Sequence, residues 1–471
     1  MLRLCDLVEA LTGQRPSDTG QVITQTVIDS RTTIPGCMFV ALPGERVDGH
    51  EYVSHAFEQG ASFALVGRDM SGQFPQVDLR QPVSQEDLAN LDQPICLRVE
   101  DPLKALQEAA RFWRNKLDVK VVGITGSVGK STTKELVAAV LSFRYPTHKN
   151  EGNYNNEIGL PLTILNLTEG HRRAVLEMGF YVPGEIRFLC EIAKPQIGVI
   201  TNIGTVHAER AGSQKEIAEG KSELVQSLPV DGVAILNYDD PWVRPMAEKT
   251  AARVMYYGLD PHADVWADHI EGLGLDGIRF RLHYGNEVLH MKVPMLGRHS
   301  VHTALRAAAV GLADGLDWAE IISGLRSGHM QLRLMVVRSE NGALLVDDTY
   351  NASPQSTMAA LNLLEELDGR KIAVLGDMLE LGQYERQGHE MIGIRAAEVA
   401  DALITVGERA KMIARSALES GMDKAVITCV EDTRQAADVL AGMIGPEDVV
   451  LIKGSRGMRM DAIAPALEKK A

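Results

Sequence analysis

The chain has 471 residues, 45% of them hydrophobic and 24% charged, a composition typical of a globular protein with about three domains. Its formal net charge of −15 argues against nucleic acid or an anionic membrane surface as the main partner, because both require a basic face. The 5 cysteines show no CxxC spacing, which predicts free thiols rather than a disulfide framework or a zinc site. Acidic residues stand early in the chain, and no apolar run is long enough to span a bilayer. We therefore expect a cytoplasmic protein with no membrane insertion.

Residues 1–101 are predicted to form a small N-terminal α/β domain. An amphipathic segment begins the chain, and short strand-like runs such as residues 38–42 follow it. A polar stretch at residues 81–93 precedes Pro94 and a strand-like run at residues 95–99. This stretch marks the predicted end of the first domain.

Residues 102–331 are predicted to form a central domain with a parallel sheet. A helical pattern at residues 103–113 leads to a strand at 120–125, a glycine-rich loop and a helix at 130–141. Apolar runs that resemble buried strands recur at residues 174–178, 197–203 and 233–236. Strands of this kind, separated by helices, indicate a parallel sheet covered by helices. Residues 264–293 alternate and contain glycine turns, which predicts a small antiparallel extension.

Residues 332–471 are predicted to form a Rossmann-like, doubly wound domain. Strand-like runs alternate there with helical stretches such as 357–367 and 410–419. The predicted strands lie at residues 343–347, 372–375, 403–406, 425–428 and 449–452. The expected fold class is therefore α/β with three domains.

A candidate phosphate-binding loop, Gly126-Ser127-Val128-Gly129-Lys130-Ser131, lies between the predicted strand and helix of the central domain. Glycines let backbone N–H groups approach phosphate oxygens, and the helix N-terminus adds a favourable dipole. The lysine would meet the outer phosphates and the hydroxyl would ligate Mg²⁺. Ile124 occupies the first glycine position of the full motif, so the loop alone predicts only that a triphosphate binds.

Ordered motifs extend along nearly the whole chain and resemble those of the Mur ligase family. They lie at residues 29–31, 39–44, 48–50, 123–134, 153–162, 176–179, 201–207, 347–354, 375–382 and 453–459. Within that family the chain resembles the enzymes that add D-alanyl-D-alanine to a UDP-linked muramoyl tripeptide. The resemblance implies that ATP phosphorylates the terminal carboxylate and that the dipeptide amine attacks the acyl phosphate, which releases ADP and phosphate.

The resemblance also implies roles for individual residues around two Mg²⁺ ions. Lys130 would bridge the outer phosphates, and Ser131 or Thr132 would hold the first ion. The other implied catalytic and metal-binding residues are Glu177, His207 and Lys221, the last as a carbamylated lysine.

Further implied contacts involve ATP and the two other substrates. Asn155, Asn156, Arg333 and Asp348 would contact ATP, with Asp348 on the ribose. Ser30 and Arg31 would hold the UDP group. Asn351, Ser353 and the turn at residues 453–456 are candidates for binding the dipeptide.

One motif departs from the family pattern. Ser300 and Thr303 stand where the family segment at residues 297–305 usually carries two asparagines, one of which meets adenine. The sequence therefore leaves the mode of adenine recognition open.

Three alternatives compete with this interpretation. The ligase that adds the third amino acid to the same precursor typically carries an Asp-Asn-Pro-Arg motif, which this chain lacks. Folylpolyglutamate synthase shares the central chemistry but has no N-terminal UDP-binding block of this kind. A nucleotide-regulated binding module would not need Lys130, Glu177, His207 and Lys221 together. We expect a monomer that closes around ATP, and the third residue of the tripeptide, diaminopimelate or lysine, stays open.

Overall fold

The computed structural model describes residues 1–17, 20–44, 47–81, 83, 93–205, 208–327 and 335–468, and these residues form three sheets. The sheets follow one another along the chain, and strands are numbered β1–β20 and helices α1–α15 in chain order. The fold class predicted from the sequence, α/β with three sheet-based units, is confirmed.

The first sheet has five parallel strands in the order β1-β2-β3-β5-β4. Its strands are Thr26–Val27, Met38–Val40, Phe63–Val66, Gln76–Asp78 and Ile95–Arg98. Helix α1 (Leu4–Thr12) confirms the amphipathic segment, since its Leu4, Leu7 and Val8 side chains are buried, and α2 spans Val53–Glu58. Most of the polar stretch at residues 81–93 lies outside the described residues.

The second sheet has nine strands in the order β14-β13-β12-β11-β10-β9-β6-β8-β7. Strands β6–β12 run parallel, and β12–β14 pair antiparallel as predicted. The strands β6–β14 are Lys120–Thr125, Thr147–Lys149, Arg173–Glu177, Ile197–Ile200, Val233–Asn237, Arg253–Gly258, Val265–Gly272, Ile278–Tyr284 and Glu287–Val293. The helices α3–α10 are Pro102–Lys116, Lys130–Ser142, Gly159–Leu165, Glu185–Ala193, Ala208–Ala211, Gln214–Gln226, Val301–Ala313 and Trp318–Ser327.

The third sheet has six strands in the order β15-β16-β20-β17-β18-β19, and only the edge strand β15 pairs antiparallel. The strands β15–β20 are Met335–Arg338, Leu344–Asp347, Arg370–Gly376, Ala402–Val406, Ile427–Val430 and Asp448–Lys453. The helices α11–α15 are Pro354–Glu366, Glu385–Val399, Lys411–Glu419, Thr433–Met443 and Ile463–Leu467. The strand predicted at 425–428 begins two residues later, because Asp423 caps a 3-10 turn at Lys424–Val426.

The carboxyl ends of strands from the second and third sheets face one cleft. The loop after β6 and the end of β8 contribute from the central sheet, and the segment after β16 contributes from the C-terminal sheet. Ligands of parallel α/β sheets bind at this edge. None of the helices that the structure describes is both long enough and apolar enough to cross a membrane.

Candidate active site

The phosphate loop joins β6 to α4 in a conformation that requires its glycines. Gly129 is the N-cap of α4 and has a φ of 83°. Gly126 has a φ of 144°, and a Cβ there would lie 1.8 Å from Thr201 Oγ1. Because a side chain at either position would be strained, the conformation of the loop requires glycine at both.

A second segment, after β9, holds the loop in place. Thr201 Oγ1 donates to Val128 O at 2.7 Å, and Val128 N donates to Asn202 Oδ1 at 3.0 Å. Gly204 N donates to Ser127 Oγ at 2.8 Å, so the Ser127 hydroxyl supports the loop. The sequence motif at residues 201–207 suggested no such role for Thr201 or Asn202, because it gave no indication that two distant segments meet.

Two lysine side chains converge on the first glycine of the loop. Lys130 Nζ donates to Gly126 O at 2.9 Å and to Ser127 O at 3.3 Å. Lys221 Nζ, on α8, donates to Gly126 O at 3.2 Å and lies 4.6 Å from the centre of the Phe180 ring. Lys221 is only 1% exposed, and burial, together with the charge of Lys130, holds its pKa well below the ordinary lysine value. This environment favours the uncharged form of the amine.

A carboxylate lies beside the loop hydroxyl. Glu177, at the end of β8, is 2% exposed. Its Oε2 accepts a hydrogen bond from Ser131 Oγ at 2.5 Å and its Oε1 accepts one from Asn155 Nδ2 at 2.8 Å. These oxygens have the chemistry that Mg²⁺ prefers. Among the described residues, here or elsewhere, no group of three or more His, Cys, Asp or Glu side chains could hold a metal ion, so one carboxylate, a hydroxyl and substrate oxygens would have to bind it.

Residues of the C-terminal sheet form the opposite wall of the cleft. Lys453 Nζ donates to Asp348 Oδ2 at 2.7 Å and to Asn351 O at 2.9 Å. Ser353 lines the cleft, but its Oγ caps α11 by accepting from Ser356 N at 3.2 Å. The cleft has a volume of about 640 Å³ and is lined by both walls.

The other predicted residues of the central and C-terminal parts differ in whether they line the cleft. Thr132 lines the cleft. Asn156 is absent from the cleft lining, because its Oδ1 accepts from Gly159 N at 2.9 Å and so stabilises the start of α5. His207 and Arg333 lie outside the described residues.

The two N-terminal candidates do not line the cleft. Ser30 is buried, and its Oγ lies 2.9 Å from His55 Nδ1. The Arg31 side chain is 83% exposed and pairs with Asp29 at 2.6 Å. Arg31 thus presents an accessible guanidinium on the N-terminal domain.

The segment that departs from the family pattern contributes side chains to the cleft. Ser300 Oγ donates to Leu296 O at 2.6 Å, and Thr303 Oγ1 accepts from Arg306 Nη2 at 2.6 Å. Burial lowers the pKa of His299 to about 4, so its imidazole is neutral at neutral pH. His299 and Arg306 both line the cleft, and the sequence alone did not single out either of them.

Comparison with known proteins identifies the family. The model of the Mur ligase family catalytic domain matches residues 22–114, the Mur ligase middle domain matches 124–311, and the Mur ligase glutamate ligase domain matches 332–456. The chain is similar to the UDP-N-acetylmuramoyl-tripeptide--D-alanyl-D-alanine ligase of Bacillus subtilis, with 36% identity over 95% of this chain and 93% of the relative.

Two solved structures share the whole architecture. A crystal structure of MurF from Acinetobacter baumannii has a TM-score of 0.83 and 31% identity, with 99% of both chains covered. The MurF ligase from Thermotoga maritima, solved in complex with ADP, has a TM-score of 0.77 and 28% identity, with 98% of both chains covered. The chain therefore belongs to the Mur ligase family of ATP-dependent amide ligases.

Proposed function

We propose that this protein joins D-alanyl-D-alanine to a UDP-N-acetylmuramoyl tripeptide at the expense of ATP, in the cytoplasm. The observation that carries the proposal is the cleft, where the phosphate loop, Lys130 and Glu177 face Asp348 and Lys453 of the C-terminal sheet. The name of the similar protein of Bacillus subtilis contains both the tripeptide and the dipeptide, and so supports the choice of substrates.

Each part of the chain has a separate task in this proposal. Residues 1–101 bind the UDP group, residues 102–331 bind ATP, and residues 332–471 bind the ribose and the dipeptide. Ser30 and Arg31 contact the UDP group, and the exposed guanidinium of Arg31 suits a pyrophosphate. The protein acts as a monomer in this scheme.

The first chemical step brings anions together. The terminal carboxylate of the tripeptide attacks the γ-phosphorus of ATP, forming a C–O–P bond and releasing ADP. Positive charge close to the reacting phosphate stabilises the transition state of such a transfer. Lys130 supplies that charge from the loop, where its Nζ already lies 2.9 Å from Gly126 O.

The second step forms the amide. The uncharged amine of D-alanyl-D-alanine attacks the acyl carbon, the C–O bond to the phosphate breaks, and a proton leaves the nitrogen. Asn351 and Ser353 lie on the wall opposite the loop and contact the dipeptide in this scheme. Because the Ser353 Oγ caps α11, its contribution would position that helix as well as the substrate.

The loop and the end of β8 supply ligands for Mg²⁺ in the proposed site. Ser131 and Glu177 would hold the first ion, and Glu177, His207 and Lys221 would hold the second. Mg²⁺ supplies positive charge that offsets the charge of the phosphate oxygens. Asn155, which donates to Glu177 Oε1 at 2.8 Å, orients the carboxylate.

Lys221 serves as a metal ligand in this proposal as a carbamate, which carries a negative charge. Its buried, neutral amine attacks CO₂, a C–N bond forms, and loss of one proton leaves a carbamate. The depressed pKa of Lys221 supports this proposal, because only the unprotonated amine is a nucleophile.

The remaining nucleotide contacts come from the last part of the chain. Asp348 accepts hydrogen bonds from the ribose hydroxyls, and the 2.7 Å bond from Lys453 holds its carboxylate in place. Arg333 reaches the nucleotide when the domains close.

The ligase that adds the third amino acid is the nearest rival. The chain lacks the Asp-Asn-Pro-Arg motif, and the Bacillus subtilis relative, which is 36% identical over 95% of this chain, carries the dipeptide-adding name. These findings favour D-alanyl-D-alanine as the amine substrate.

A substrate panel tests the proposal directly. Phosphate release is measured with ATP, Mg²⁺ and UDP-muramoyl tripeptides ending in diaminopimelate or lysine, each with and without D-alanyl-D-alanine. We expect turnover only when tripeptide, dipeptide and Mg²⁺ are all present. Equal phosphate release without the dipeptide, or none with all components, would contradict the proposed reaction.

A further inference from the structure

A buried arginine of the cleft has no role in the reaction described above. Arg306 lies on α9 (Val301–Ala313), is 4% exposed and lines the cleft. Its Nη2 and Nη1 atoms lie 3.3 and 3.7 Å from the position that a Cβ on Gly129 would occupy. The guanidinium therefore lies against the last glycine of the phosphate loop, whereas the two lysines contact the first glycine.

The positive charge of Arg306 is poorly compensated within the protein. Its Nη2 donates to Thr303 Oγ1, and its guanidinium carbon lies 5.6 Å from the centre of the Tyr257 ring. Its Nε is buried without a hydrogen-bond partner. No Asp or Glu side chain among the described residues forms an ion pair with it. A buried guanidinium in such a setting carries a desolvation cost that an anion would offset.

The neighbouring backbone adds to the positive potential. Gly129 is the N-cap of α4 (Lys130–Ser142), so the guanidinium lies beside the positive end of a 13-residue helix. Two positive groups placed together destabilise one another unless a ligand of opposite charge lies between or beside them. The positive potential at the Gly129 end of the loop therefore favours binding of an anion.

We propose that Arg306 is a nucleotide-binding residue of this chain whose guanidinium contacts a phosphate group of the nucleotide next to Gly129. This inference rests on the proposed function, in which the cleft binds ATP. The guanidinium has only hydrogen-bond donors, and phosphate oxygens are acceptors that match its planar fork. Thr303 and Tyr257 hold the side chain in position for this contact.

Calorimetric titration with ADP, in the absence of the other substrates, tests the assignment. We expect R306M to raise the Kd for ADP about 10- to 100-fold, since one charged hydrogen-bonding group is lost. R306K keeps the charge without the fork and falls between the wild type and R306M. The matched control is R298M, because Arg298 has a 62% exposed side chain and is not part of the cleft lining. Its Kd for ADP stays within about 2-fold of the wild-type value.

Thermal unfolding of the nucleotide-free protein separates a ligand contact from a structural one. Removing a poorly compensated buried charge leaves the Tm of R306M unchanged or raises it, while ADP affinity falls. A lower Tm together with an unchanged Kd for ADP would assign Arg306 to the core and overturn the proposal. The same conclusion would follow if R306K and R306M bound ADP as tightly as R298M.

Titration with adenosine identifies the part of the nucleotide that Arg306 contacts. A phosphate contact predicts the same Kd for adenosine in the wild type and R306M. An equal loss for adenosine and ADP would place the guanidinium on the base or sugar and overturn the phosphate assignment. ADP binding does not require turnover. If the protein binds ADP but releases no phosphate in the substrate panel, the proposed reaction is refuted, and the Kd values for ADP still decide the role of Arg306.

Discussion

The environment of Lys221 makes the stability of the protein depend on pH in a defined way. The folded state favours the uncharged form of this amine, because burial and the nearby charge of Lys130 lower its pKa. In the unfolded chain the same amine keeps a pKa near 10.4. Between the lowered pKa and about pH 10, the unfolded state therefore binds one proton more than the folded state. Stability must rise with pH across this window.

The size of the effect follows from the linkage of one proton. Each pH unit adds about 1.4 kcal/mol to the free energy of unfolding. For a domain of roughly 150–250 residues, 1 kcal/mol corresponds to about 2–4 °C in Tm. The variant Lys221→Met keeps the apolar stem but has no group to titrate. The Tm of the wild type minus that of the variant should thus increase by about 3–6 °C per pH unit above the lowered pKa of Lys221 and up to about pH 10.

Scanning calorimetry in CO₂-free buffer measures this difference. A difference in Tm that stays constant with pH would refute the reasoning, because Lys221 would then be charged in the folded protein. Added bicarbonate provides a second measurement. Carbamate formation on the folded state raises the Tm of the wild type and leaves Lys221→Met unchanged. An equal response of both proteins would contradict carbamylation at this residue.

Three further predictions concern the loop and its neighbours. Lys130→Ala should lower kcat for phosphate release at least ~100-fold and leave the fold intact, because the loop loses the positive charge that Nζ places beside Gly126 O; substantial residual turnover would refute its role. Gly126→Ala should cost about 2–5 kcal/mol in urea unfolding, since the new Cβ would lie 1.8 Å from Thr201 Oγ1. The control Gly442→Ala meets nothing within 4 Å and should cost nothing, so equal losses would contradict the steric argument. Glu177→Gln should raise the Mg²⁺ concentration for half-maximal phosphate release at least ~10-fold, and an unchanged Mg²⁺ titration would remove Glu177 from the metal site.

Local sequence patterns predicted the elements that carry the site. The strand at Lys120–Thr125 agrees with its predicted bounds, and the helix that starts at Lys130 ends one residue beyond the prediction. Apolar runs and glycine positions suffice for such elements, because burial on both faces and a positive φ restrict the residues allowed. The strand at Arg253–Gly258 was not predicted, since Tyr256 and an exposed Arg253 interrupt its apolar pattern.

Local sequence patterns could not predict which distant segments contact each other. Thr201 and Asn202 clamp the loop, and Arg306 reaches Gly129 from α9, only because the fold brings separate segments together. Asn156 stood in a motif with Asn155, yet one amide caps a helix while the other contacts Glu177. Neighbouring identical residues are alike in chemistry, and the direction of each side chain decides its role.

Transfer of a labelled oxygen tests the acyl-phosphate reaction most directly. The terminal carboxylate of the UDP-muramoyl tripeptide is labelled with ¹⁸O at both oxygens, and the products with ATP and D-alanyl-D-alanine are analysed by mass spectrometry. Attack of this carboxylate on ATP predicts one ¹⁸O in each phosphate released and one ¹⁸O in the new amide. Ligated product accompanied by unlabelled phosphate would contradict the account.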